Sequence, residues 1–188
     1  METTGCTALS LAMLVSFGCL ASTEREETEA TARSIVKTYV GEVRPMLQNY
    51  MQTRGPVGAV DGCARDAPAI ADRIGEDTGW QVGRVSLKPR NVERASPDDW
   101  EIRTLEQLET ARREGTPAED LNHGEWVDGR YRYMQAQLVD GVCLACHGES
   151  IDPAVRASID KHYPGDSAVG FSIGDIRGAI TLTSPGVD

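Results

Sequence analysis

The five residues Cys143-Leu144-Ala145-Cys146-His147 constrain this chain more than anything else in it. Cys-x-x-Cys-His is the attachment pattern for c-type haem, in which two thiols bind the vinyl groups and the adjacent imidazole reaches iron. A fold that carries it needs a ring-sized apolar pocket beside a short turn of chain. The motif therefore predicts one covalent haem c, with Cys143 and Cys146 as thioethers and His147 as proximal iron ligand. Two other readings compete. A Cys-x-x-Cys pair serves as a redox dithiol, but usually in a strand-to-helix context that is missing around residue 143. It also forms half of a zinc site, but a second paired cluster is missing and Cys63, His123 and His162 stand singly.

The remaining cysteines, Cys6, Cys19 and Cys63, complete an odd count of five at uneven spacing, which does not suggest a disulfide framework. Residues 1–21 read as an export signal. Thr7 to Leu20 is mostly apolar and too short to span a bilayer comfortably, small residues follow, and charge begins at Glu24. A second reading makes Cys19, in Ser16-Phe17-Gly18-Cys19, a lipoprotein site and hence a membrane tether. Either reading puts the mature chain outside the cytoplasm, in the periplasm. A net charge of -10 argues against a nucleic-acid partner.

Periodicity organises the rest. Glu24 to Gln52 reads as a helix with an acidic start, kinked at Pro45 and broken by Gly55-Pro56. Residues 54–188 read as the haem domain packed with that helix. In Val57 to Glu76, Cys63, Ala67, Ile70 and Ile74 share one helical face, with a bend expected from Pro68. Trp80 to Leu87 suits a strand, and Ser96-Pro97-Asp98-Asp99 suits a helix start, with Ser96 as cap, Pro97 at the first helical position and acids in the first turn, the helix being stopped by Gly115. Strands are expected on both sides of Asp128-Gly129, a hairpin signal. A short helix over Pro153 to His162 and two strand-like runs within Ser167 to Thr183 follow. The expected class is α+β, with about five antiparallel strands flanked by helices.

Haem of this kind usually takes a distal ligand. Cys63, Met134, His123, His162, Met46 and Met51 are the candidates. Met/His ligation is common in electron carriers, which favours Met134 or a histidine. Met134 alternatively packs in its strand, and a lone Cys63 on an apolar helix face is by base rate a small hydrophobe.

The stretches Cys63-Ala64-Arg65-Asp66-Ala67-Pro68-Ala69-Ile70-Ala71, Gly79-Trp80, Gly83-Arg84-Val85-Ser86-Leu87-Lys88-Pro89-Arg90-Asn91, Gly129-Arg130-Tyr131-Arg132-Tyr133-Met134 and Gly174-Asp175-Ile176-Arg177-Gly178-Ala179 extend the motif. Together they resemble a bacterial and cyanobacterial family of exported c-type haem domains with a PAS-like fold, over roughly residues 30 to 184. The chain departs from the family pattern at Val92-Glu93-Arg94-Ala95. The resemblance implies His/Cys iron ligation, with Cys63 at the distal position. It also implies that Arg84, Lys88 and Arg90 lie near the haem, where they would contact its propionates. Such a site suits a redox or small-gas sensor that binds NO or CO and signals through a protein partner or a homodimer. A small electron-transfer cytochrome is the alternative, and an enzyme is not expected.

Overall fold

The computed structural model describes residues 12–186, with side chains from residue 23 onward. The expected leader, residues 1–21, and the lipid-anchor reading of Cys19 lie outside the residues so described. Among the described residues, no helix is long and apolar enough to cross a membrane.

The chain opens with α1 (Ala12–Thr78), which is two helices meeting at Gly55, where φ is 66° and ψ is -174°. A positive φ is cheap for glycine, so the break falls there. Pro45 and Pro68 both sit within the helical span. β1 (Gln81–Val85) follows, then the short α2 (Val92–Ala95) and α3 (Asp99–Arg113). The cap of α3 is Asp98, not Ser96. The Asp98 side chain accepts from the Glu101 amide, and the Glu101 side chain accepts from the Asp98 amide. This reciprocal pair satisfies two amides at once, more than a lone serine could.

β2 (Asn122–Val127) and β3 (Arg130–Leu138) form the expected hairpin. Asp128 and Gly129 both have positive φ, at 49° and 76°, as a type I′ turn requires. After β3 come a single 3₁₀ turn (Gly141–Cys143), α4 (Leu144–His147), α5 (Pro153–His162) and β4 (Ile176–Thr183).

The sheet has four antiparallel strands in the order β1-β4-β3-β2. The expectation of five is corrected at residues 167–174, which form a loop. Its backbone amides are taken by other segments: Ser167 by the Pro89 carbonyl, Gly170 by Gly148, Phe171 by His147 and Gly174 by Val139. Extended chain whose amides point at loops has none left for a ladder.

Both faces of the sheet are covered. Ala32, Ile35, Val36 and Tyr39 of α1 pack with Tyr131, Tyr133, Ile180 and Leu182. Trp100 and Leu105 of α3 pack on the other face against Val85, Met134 and Ala179. β3 and β4 lose register near one end: Gln137 pairs with Gly178 and Leu138 with Ile176, so Arg177 has no partner across the ladder. That extra residue is a β-bulge, which bends the strand and re-aims its side chain.

Candidate haem site

Between α1 and the sheet lies a cavity of about 610 Å³. Tyr39, Val43 and Leu47 line it from the first arm of α1, Val60 and Cys63 from the second, and Val82, Arg84, Gln135 and Ile180 from the sheet. Cys143, Cys146 and His147 close it. The motif and Cys63, 80 or more residues apart in sequence, therefore open onto one space. None of these three cysteines is in a disulfide.

The motif is held by its neighbours. Asp140 caps the 3₁₀ turn by accepting from the Val142 amide at 3.1 Å, and its carboxylate lies 3.3 Å from Cys143 Sγ. Arg90 donates to the Cys146 carbonyl and, at 3.1 Å, to that of Ala168. His147 Nδ1 lies 2.8 Å from the Ala168 carbonyl and 3.0 Å from Arg177 Nε. A carbonyl only accepts and a guanidinium only donates, so Nδ1 can serve just one. Assigning its proton to the carbonyl contact leaves the Nε2 lone pair toward the cavity, where Arg177 Nε lies 3.4 Å away. Backbone carbonyls orient metal-binding histidines in this manner. Burial holds His147 well below the usual histidine range, helped by the charges of Arg177 and Arg90, so the ring is neutral. Phe171 meets it edge-on, with centroids 6.3 Å apart.

Burial also pushes the Cys63 thiol up, opposed by Arg84 and Arg90. The thiols of Cys143 and Cys146 are raised by burial too. All three are therefore neutral thiols near pH 7.

The distal candidates separate cleanly. Cys63 and Met51 line the cavity. Met46 does not. Met134 is fully buried on the α3 side of the sheet, so its packing reading holds. His123 sits on β2 beside Glu125 at 3.5 Å, and His162 binds Asp61 at 2.7 Å on the surface. Among the described residues, no cluster of three or more His, Cys, Asp or Glu could hold a metal ion by itself.

The basic residues separate as well. Arg84 lines the cavity, and its side chain makes no hydrogen bond or ion pair among the described residues. Arg90 lines it but is taken by the buried Asp166, 3.1 Å away. Lys88 is exposed outside it, with Nζ 3.3 Å from the Val169 carbonyl and 5.1 Å above the Phe171 ring. Arg177, which the sequence reading did not single out, is the bulged residue of β4 and points into the cavity. Its Nη1 donates to Ser86 Oγ at 3.1 Å, and its guanidinium lies 5.4 Å over Phe171. Burial, then Arg84 and Arg90, push its pKa down to about 9. Gly178 inside a strand-like run was the available signal, since such a glycine often marks a bulge.

The comparisons follow this geometry. A family model, Tll0287-like, matches residues 21–185. The crystal structure of the cyanobacterial heme-protein Tll0287 is similar, with a TM-score of 0.62 and 25% sequence identity, over 88% of this chain and 97% of that one. No curated protein matches the chain. The match runs through both arms of α1, the sheet and the cavity-closing motif, and the chain belongs to the Tll0287-like family.

Proposed function

We propose that this chain binds one haem c in the α1–sheet cavity and acts as a redox or small-gas responsive module. The observation that carries the reading is the convergence of Cys143, Cys146, His147 and Cys63 on one cavity of about 610 Å³. A volume of that order lies within the ordinary range for small-molecule and cofactor sites. The residues present fit the group. Two thiols would hold it covalently, the unprotonated Nε2 of His147 would serve its iron in place of the Arg177 contact, and Cys63 would be the second ligand. Haem, when bound, supplies a redox-active iron. The apolar side chains of α1 that line the cavity would exclude water from the ring, and the Ala168 carbonyl would fix the His147 tautomer.

A thiolate favours the ferric state, so the iron–Cys63 bond is expected to weaken on reduction. A haem held by Cys63 in this redox-dependent way, with NO or CO as competing ligands, would suit a sensor better than a fast electron carrier. The four-stranded sheet with its long helix is read as PAS-like, an architecture compatible with signalling by contact to a partner.

The test is an optical and EPR spectrum of the ferric protein, matured with haem c, beside its Cys63→Ala variant. The expected result is a low-spin thiolate signature in the wild type that the variant lacks. Identical spectra would remove Cys63 from the iron and favour a small electron-transfer cytochrome instead.

A further inference from the structure

The cavity's charge is out of keeping with the chain's. The protein carries a net charge of -10, yet five arginines and a single carboxylate, Asp140, line this one space. Three of the five are already matched. Arg44 pairs with Asp140 at 2.7 Å, Arg90 with Asp166 at 3.1 Å, and Arg94 with Asp72. The other two, Arg84 and Arg177, face the cavity with no carboxylate partner among the described residues. Both are half-buried, and two guanidiniums that face one cavity without a carboxylate of the chain's own point to a dianionic occupant.

The second observation is the bulge. Gly178, at φ +151°, takes the backbone conformation that leaves Arg177 out of the β3–β4 pairing and turns it inward. The Ser86 hydroxyl secures both ends of this device: it donates to the Arg177 carbonyl at 2.8 Å and accepts from Arg177 Nη1 at 3.1 Å. The third is competition at His147. Arg177 Nε donates toward the Nε2 lone pair, which can serve only one partner. Iron on Nε2 would displace that contact and free a donor of a planar fork suited to a carboxylate.

We propose that Arg177 and Arg84 are the residues that bind the two carboxylates of the cofactor, and that Arg90 and Lys88 are not. This rests on the haem reading above. Arg90 instead fastens the Lys88–Asn91 loop to the motif, and Lys88 stays at the surface.

The experiment compares the haem-loaded and haem-free forms of wild type, Arg177→Met and Arg177→Lys. Unfolding equilibria are measured for both forms, and resonance Raman spectra of the propionate bending modes for the loaded one. Loss of a charge-assisted contact should lower the folding constant of loaded Arg177→Met roughly ten- to hundred-fold. The haem-free form should lose less, since there the side chain contacts only Ser86, the Lys88 carbonyl and His147. The propionate modes should shift in Arg177→Met and return toward wild type in Arg177→Lys. Equal destabilisation of both forms with unmoved propionate modes would mean a structural arginine and overturn the assignment. A shift of those modes in Arg90→Met but not in Arg177→Met would overturn it too. A wild-type chain that acquires no covalent haem overturns the haem reading itself, an outcome visible before any variant is made.

Discussion

Gly178→Ala isolates the bulge that turns Arg177 into the cavity. An added Cβ would lie 2.3 Å from the Val85 carbonyl oxygen and 3.0 Å from Ser86 Cβ, and the residue's φ is +151°. Two costs follow. An alanine held at positive φ costs about 1–3 kcal/mol. Forcing a methyl against paired backbone costs about 1–3 kcal/mol more, because β1 has to move away from β4 where Val85 pairs with Ala179. A total near 4 kcal/mol lowers Tm by about 8–16 °C in a chain of this size. Gly79→Ala is the internal control. It has φ +75° but nothing within 4 Å of the added Cβ, so only the conformational part applies. Thermal unfolding followed by far-ultraviolet circular dichroism separates the two. A Gly178→Ala midpoint within about 3 °C of that of Gly79→Ala would show that contact with β1 contributes nothing, and would sink the account of the bulge.

Other perturbations test other parts of the fold. Met134→Ala empties a fully buried position and should cost about 2–5 kcal/mol in urea unfolding without altering a haem spectrum, since Met134 is on the far sheet face. Asp98→Ala removes the α3 cap and should cost about 1 kcal/mol in the same assay, whereas Ser96→Ala should be nearly silent. The Arg33 hydrogen bond holds the Glu29 carboxyl below its ordinary value of 4.5, against desolvation. A depressed carboxyl stabilises above its unfolded pKa and loses that contribution as pH falls through the folded one, so Glu29→Gln should flatten the acid limb of stability as pH falls below 4.5. Asp166→Asn leaves Arg90, only 12% exposed, without its carboxylate and should cost about 3 kcal/mol, part of which the Arg90→Met/Asp166→Asn double variant recovers.

Local chemistry made much of the fold readable in the sequence. The Asp128-Gly129 turn, the break at Gly55 and the helix over Pro153–His162 all stand where their residues put them. The misread parts are those decided by distant partners. Ser167 to Gly174 has strand-like residues, but Pro89, His147 and Gly148 claim its amides. Lys88 and Arg90 are two residues apart and alike in sequence, yet Asp166 draws one inward and the Val169 carbonyl keeps the other outside. Arg177 looked like an ordinary strand residue because its inward turn depends on register with β3. Asp98 with Glu101 three residues on was legible as a capping box, and weighing it would have placed the α3 start correctly.

The same division explains how a four-residue helix can hold His147 in place. An isolated turn of that length does not persist in water, because nucleation costs more than one hydrogen bond returns. The placement of α4 is therefore imposed from outside. Arg90 reaches the Cys146 carbonyl from residues 88–91, while Phe171 and Gly170 donate to the carbonyls of His147 and Gly148 from residues 166–171. Arg90 and Asp166 join those two segments to each other. The Cys-x-x-Cys-His sequence supplies the reactive atoms, but their position belongs to two loops that carry none of the haem chemistry. Changes in either loop should then act on the site as a unit, loosening His147 while leaving the thiols and Cys63 chemically intact.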